Sequence, residues 1–373
     1  MTARHLYVHV PFCARRCAYC DFSIAVRRAT PVDEYLNALE AELGSRLGRV
    51  DVSLNNGDLI ETLYFGGGTP SRLGPEGVRR MLTVVRRYGT LAQDAEITLE
   101  ANPEDVTAEA AHAWREAGVN RISLGVQTFD DSVLTWMHRT HSVTQSREAV
   151  STLRSAGFTN ISVDLIFALP TELGRSWSRD LEETFILEPD HVSLYGLTIE
   201  EFTPLSRWTS AGRSSRPTDD HYAEEFLMAH RAATDAGLEH YEVSNFAKPG
   251  RRSRHNSTYW SGAPYLGVGP SAHSFDGLRR SWNVSPYTDW VTRLREGSDV
   301  TQDVEDLSDS NRAAERVYLG LRTVAGYRAS PADIAIARGW ADAGWAGIEG
   351  DVIRLTPEGW LRLDALSSGL TGF

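Results

Sequence analysis

The side chains with the clearest capacity for redox or metal chemistry are Cys13, Cys17 and Cys20, all the cysteine the chain contains, gathered in the run PFCARRCAYCDF. An odd number of thiols cannot build a disulfide framework, and nothing marks the chain as secreted. Spacings of three and two residues allow one short loop to wrap three thiolates around a face of a 4Fe-4S cubane. The fourth iron is then left without a protein ligand and is itself a binding site. Zinc is the inorganic alternative; a closed structural site wants four ligands, usually in Cys-x2-Cys pairs, so here it would be a catalytic ion on three thiolates. Three incidental buried thiols are the remaining reading.

Such a loop needs a scaffold, and the chain supplies a repeating one. Strand-like runs occur at LYVHV (6–10), IETLYF (60–65), EITLE (96–100), RISLGV (121–126), ISVDLI (161–166) and HVSLYG (191–196). Between them lie amphipathic helical patterns such as VDEYLNALEAELGSRL, GVRRMLTVVRRY, AEAAHAWREAG and SREAVSTLRSAG, several closed by the glycine expected just past a helix end. Six successive β/α units predict a parallel sheet, and being fewer than eight they predict an open, TIM-like partial (β/α)6 barrel with a cleft along its side. The cysteine loop follows the first strand. Gly66, Gly67, Gly68, Glu100, Gln127 and Asp164 fall at or just beyond the C-terminal strand ends, the edge where parallel α/β sheets place their active sites.

With 373 residues, 41% of them hydrophobic, the chain can bury one large core and a smaller appended unit. Three segments are read: a barrel core with the cluster loop over 1–200, an irregular aromatic- and glycine-rich extension over 201–300, and a winged-helix-like domain over 301–373. Acidic residues outnumber basic ones by 50 to 38, a formal charge of −12, which weighs against nucleic acid as a partner, so the last segment is read as packing or partner contact. No apolar run long enough to span a bilayer and no signal peptide is evident, so a soluble cytoplasmic protein is expected.

The Cys-x3-Cys-x2-Cys loop after a first barrel strand resembles the radical S-adenosylmethionine superfamily. That resemblance implies chelation of the open iron by the methionine end of the cofactor, and reductive cleavage to a 5′-deoxyadenosyl radical. It also implies a glycine turn after the next strand, present as Gly66, Gly67, Gly68 and Thr69. The segments YVHVPFC, YFGGGTPS, LEANPE, NRISLGVQTF, MHRTHS and SVDLIFALP extend the likeness across almost the whole barrel, to the group containing oxygen-independent coproporphyrinogen dehydrogenase. Carried over on those segments, the group's cofactor contacts fall on Tyr7, Gly67, Gly68, Thr69, Glu100, Gln127, Arg139 and Asp164. Glu100 and Asp164 can accept from ribose hydroxyls or the ammonium, Arg139 can pair with a carboxylate, and Gln127 can do either. His9 and His141 are assigned to support this site.

Two features depart from the dehydrogenase. Phe22 stands where that enzyme has a fourth cysteine, and only twelve residues precede Cys13, where it carries a long segment covering its substrate. Both features are similar to the heme chaperone family HemW, with its CxxxCxxCDF loop and its HNxxYW motif, found here from His255 to Trp260. Histidine is the usual protein ligand of heme iron and aromatic rings stack on porphyrin faces, so the resemblance implies heme contact by His255, Tyr259 and Trp260. A second candidate is His273, in GPSAHSF; the bland alternative is a buried His255 bonded in a turn, with the two aromatic rings in the core.

The resemblance implies a heme carrier that delivers heme to apo-hemoproteins, for example those of a respiratory chain, with the cluster and S-adenosylmethionine tuning or gating transfer. A reductant for the cluster, a homodimer, and membrane contact only through the recipient go with that reading. Its enzymatic rivals are oxidative decarboxylation of coproporphyrinogen III, as an oxidoreductase of porphyrin biosynthesis, and anaerobic heme breakdown by methyl transfer and ring opening.

Overall fold

Each of the six runs forms a strand that is largely buried on both faces, as expected of strands in a parallel sheet covered by helices. They are β1 (His5–Val10), β2 (Ile60–Gly67), β3 (Leu91–Ala101), β4 (Arg121–Gln127), β5 (Ile161–Phe167) and β6 (His191–Gly196). The computed structural model describes residues 4–47 and 59–372. The covering helices show why they fold where they do. In α2 (Gly74–Tyr88), Val78, Met81, Leu82 and Val85 recur at helical spacing and are buried, while Arg79, Arg86 and Arg87 face solvent. Helix α3 (Ala108–Ala117) begins at a Thr107 cap and ends at Gly118 in the left-handed region, and α5 (Val143–Ser155) starts from a reciprocal Ser142/Gln145 capping box. The remaining barrel helices are α1 (Val32–Leu47), the short α4 (Asp131–Trp136) and α6 (Trp177–Ile186).

Three strands from the irregular segment enlarge the sheet beyond the six expected. The hairpin β7 (Glu239–Glu242) and β8 (Asn245–Ala247) adds antiparallel to β6, and β9 (Leu266–Val268) adds parallel to the outer side of β1. The order is β9-β1-β2-β3-β4-β5-β6-β8-β7, an open sheet rather than a closed ring. Between these additions run α7 (Pro204–Ser210), α8 (Asp219–Asp235) and α9 (Arg254–Ser261).

A second sheet follows, of β10 (His273–Phe275), β11 (Arg279–Asn283) and β12 (Thr301–Asp306), with α10 (Tyr287–Arg295) between its last two strands. Because β12 pairs with β11, residues 301–306 continue the preceding sheet, and the change of character falls at Leu307. The rest runs α11 (Asp309–Leu321), β13 (Tyr327–Arg328), α12 (Pro331–Asp342), the hairpin β14 (Ala346–Glu349) and β15 (Val352–Leu355), α13 (Pro357–Trp360) and α14 (Leu363–Thr371). The order is helix, short strand, helix, hairpin, with β13 and the hairpin joined in one three-stranded sheet. The segment's apolar side chains Val317, Leu321, Trp340, Ile353 and Trp360 belong to the same hydrophobic cluster as the barrel. Main-chain bonds from Val243 to Arg322 (3.0 Å) and from Val324 to Tyr241 (3.1 Å) tie it to β7.

One buried carboxylate joins distant parts of the chain. Glu42 of α1 is fully enclosed and accepts from Gly269 N–H (2.8 Å), Asn283 Nδ2 (2.7 Å) and Trp290 Nε1 (2.9 Å). It thereby locks α1, β11, α10 and the turn after β9 together.

Candidate functional site

The cysteine loop is a closed lobe. Phe12–Cys13 pairs with Ala25–Val26 in a two-residue parallel ladder, and Ala18 bonds outward to Met137 and Leu205 (2.9 Å each), pinning the far side to the barrel. All three cysteines are half-buried free thiols lining one cavity of about 420 Å³. Cys13 Sγ lies 3.5 Å from Thr69 Oγ1, and Arg139 donates from Nη1 to Cys17 Sγ at 3.7 Å. Burial pushes the Cys13 thiol up and Cys20 up to about 11, so at these two positions the thiolate forms together with a bound metal rather than before it. Among the described residues, no three Cys, His, Asp or Glu side chains converge on a single-ion position. A single zinc needs that convergence, whereas a cubane takes each thiolate on a different iron. The donor set and the enclosed cavity beside it fit a 4Fe-4S cluster.

The same cavity gathers Gly67, Gly68, Thr69, Glu100, Gln127, Arg139 and Asp164. The glycine turn has steric reasons to be glycine. A Cβ on Gly68 would sit 2.7 Å from the Pro11 carbonyl, and one on Gly67, whose φ is +113°, would sit 2.5 Å from the His9 ring. Glu100 accepts from Tyr64 Oη (2.9 Å) and from Gly67 N–H (3.0 Å). Burial raises its pKa to about 7, the Asp164 charge adding to the rise and the Tyr64 bond opposing it. Asp164 accepts from Ser123 (2.7 Å) and Ser162 (2.9 Å), and burial raises its pKa despite those hydroxyls. Gln127 ends β4 at a register shift with φ +71°, a left-handed conformation that turns the chain at the cavity wall.

Tyr7 lies on the other side of Gly67 and donates to His9 Nδ1 (3.1 Å); His9 Nε2 donates to the Ser23 carbonyl (3.1 Å). Burial lowers His9 to about 4, so it acts as a neutral brace for the loop. His141 bonds the Val126 carbonyl (3.1 Å) and lies 3.5 Å from Glu104, bracing the end of β4. Asn102, not singled out from the sequence, accepts from Arg139 Nη2 (2.7 Å) and lines the cavity. Its position two residues beyond Glu100, on the same face of the strand path, was the available signal.

A larger cavity of about 960 Å³ opens on the outer side of the loop and shares Asp21, Phe22, Gly67 and Glu100 with the first. Tyr259, Trp260, Tyr265 and Phe275 form its aromatic part, with Phe22, which is 59% exposed, at the junction. Arg312, Glu315, Arg316 and Leu319, one face of α11, close the opposite side.

His255 does not reach this cavity, which corrects the expectation drawn from the motif. It is 0% exposed; its Nδ1 is bonded to Thr62 Oγ1 (2.7 Å) and its Nε2 to Tyr259 Oη (2.9 Å). Glu96 accepts from the N–H groups of Arg254 and His255 at the start of α9, fixing the helix rotation that turns this ring inward. With both nitrogens engaged and the ring enclosed, His255 has no lone pair to offer an iron in this structure. His273, by contrast, is exposed into the cavity and stacks on Trp282 at 5.6 Å; burial, then the Arg280 charge, lowers its pKa.

An open parallel barrel with a three-cysteine loop after its first strand and a polar cavity at the strand ends defines the radical S-adenosylmethionine class, and the Radical SAM superfamily model matches residues 7–183. Coproporphyrinogen III oxidase (HemN) from Escherichia coli, titled a radical SAM enzyme, has the same fold, with a TM-score of 0.83 at 23% identity, covering 98% of this chain and 89% of that one. Heme chaperone HemW of Bacillus subtilis is 36% identical over 86% of this chain and 83% of its own, and that of Mycobacterium tuberculosis 35% identical over 98% and 94%. The chain belongs to the heme chaperone HemW family of radical SAM proteins.

Proposed function

We propose that this protein binds heme in the larger cavity and passes it to apo-hemoproteins, with a 4Fe-4S cluster on Cys13, Cys17 and Cys20 and S-adenosylmethionine in the smaller cavity. The observation that carries this reading is the adjacency of the two cavities across Phe22 and Glu100, the larger one aromatic-walled and sized for a macrocycle. When bound, the cluster and its cofactor supply one-electron chemistry. The chain's own residues divide the work around them. Arg139, held by Asn102 and the Gly125 carbonyl, presents its charge between Cys17 and the cavity, where it can meet a carboxylate. Glu100 and Asp164 offer acceptors to hydroxyls or an ammonium, Gln127 and Thr69 close the wall, and Tyr7 with His9 supports the glycine turn. Phe22 supplies an apolar face toward the larger cavity, and Tyr259 and Trp260 supply the facing rings.

The recipients proposed are apo-hemoproteins of a respiratory chain, a reductant serves the cluster, and a homodimer is one arrangement for transfer. Among the described residues no helix is long and apolar enough to cross a membrane. The testing experiment is anaerobic reconstitution followed by two parallel assays. Incubation with coproporphyrinogen III, S-adenosylmethionine and dithionite is expected to give no decarboxylated product, and a heme titration is expected to saturate with transfer to an apo-hemoprotein. Decarboxylated product would replace the carrier with a dehydrogenase, and loss of the macrocycle itself would replace it with a heme-degrading enzyme.

A further inference from the structure

We propose that heme is held in the larger cavity by His273 at the iron and by Arg312 and Arg316 at its two propionates, an assignment that rests on the heme reading above and names its ligands. Heme is a flat apolar plate with a metal at its centre and two carboxylates on one edge. A site for it needs an axial donor, facing rings and a basic rim, arranged in that order across one space.

The lining of the larger cavity includes all three kinds of group. His273 begins β10, exposed on the cavity side, and neither of its ring nitrogens has a hydrogen-bond partner among the described residues. Its place is fixed from behind: a Cβ on Gly267 would meet the His273 carbonyl at 2.0 Å, so only glycine on β9 lets this strand pack so closely. The ring is also held from the side by its stack on Trp282, which faces it across the β10–β11 ladder. Among the HNxxYW residues, by contrast, the histidine ring is enclosed and only Tyr259 and Trp260 face the space.

The basic rim is set by helix periodicity. Arg312 and Arg316 are four residues apart on α11 and lie on the cavity face together with Leu319. Among the described residues no carboxylate pairs with Arg316, and the ion pair of Arg312 is to Asp309, an exposed side chain in the first turn of its own helix. The third arginine of the cavity, Arg280, is already paired with Glu315 (2.7 Å) and Glu305 (3.7 Å), so the acidic side chain that α11 contributes to the lining is engaged as well. Two guanidinium groups therefore remain for two carboxylates, in a protein whose overall charge is −12. The C-terminal segment thereby gains a role in binding, since α11 supplies the charged edge of a pocket whose other walls come from the barrel.

The test is a heme titration of the anaerobically reconstituted full chain, read by the Soret band, for wild type, His273→Gly and the Arg312→Gln/Arg316→Gln double variant. Iron content and circular dichroism check that each is folded. His273→Gly is expected to weaken binding at least about tenfold and to lose the imidazole-ligated spectrum, which free imidazole should restore. An unchanged spectrum and affinity would overturn the axial assignment. Wild type is expected to prefer free heme over heme dimethyl ester by about tenfold or more, and the double variant to bind both alike. A preference that survives in the double variant would overturn the propionate assignment. If wild type takes up no heme at all, the carrier reading itself fails.

Discussion

His255 and His273 show how much of a ligand's competence depends on what its ring already touches. In the neutral ring of His255 both nitrogens serve Thr62 and Tyr259, and burial lowers its pKa to about 3. The motif that contains it was legible in the sequence, but the direction of its ring was not, because that direction depends on Glu96 reaching from another strand to cap α9. Glu100 gives a prediction at the same scale. Its folded pKa of about 7 lies above the ordinary carboxyl value of 4.5, so the stability it contributes is complete below 4.5 and is withdrawn as pH rises to 7. A donor that pairs with the ionised form offsets this loss. Binding of S-adenosylmethionine, measured by equilibrium dialysis, is therefore expected to strengthen several-fold from pH 6 to pH 8, and Glu100→Gln to flatten that rise. Gly68→Ala, whose Cβ would strike the Pro11 carbonyl, is expected to lower iron and sulfide per chain after reconstitution with little change in helix content.

The barrel strands were readable as elements because a strand covered on both faces is a short continuous apolar run, and six such runs alternate with amphipathic helices. The edge additions were not, since β8 and β9 have three residues each and carry no periodic signal. Their pairing is decided by tertiary neighbours. Glu42 is one of those neighbours, accepting three donors from elements more than two hundred residues away. Glu42→Ala leaves the Gly269 and Trp290 donors without an acceptor and removes one of the two partners of the half-buried Arg46, and is expected to cost about 3–5 kcal/mol in urea unfolding. Glu42→Gln, which keeps the shape and part of the bonding, should cost less. The cysteine loop and the residues around its cavity were legible as a set because chemistry demands particular side chains there. The basic face of α11 follows from residues 312, 316 and 319 at helical spacing, but which wall that face would meet depends on the packing of the C-terminal segment on the barrel.

At the scale of the molecule, the C-terminal segment shares the barrel's hydrophobic cluster, with Trp360 bonded to the Leu321 carbonyl (2.9 Å) and set edge-on to His240 at 4.4 Å. Heme bound between barrel and α11 would bridge these parts, so a saturating amount is expected to raise the melting temperature, and deletion of 307–373 to abolish heme uptake even where cluster assembly persists. The pairing of β9 with the outer side of β1 also has a consequence for the order of events during synthesis. A nascent chain that has reached residue 200 holds all six barrel strands, yet the strand that launches the cysteine loop still has a bare edge. Only when residues 266–268 emerge is that edge covered, and only then does Gly269 settle against His9. The thiols precede the strand that steadies their loop by more than two hundred residues. Durable iron loading is expected to need that pairing, so a chain ending before residue 266 should retain less iron after reconstitution than the full chain.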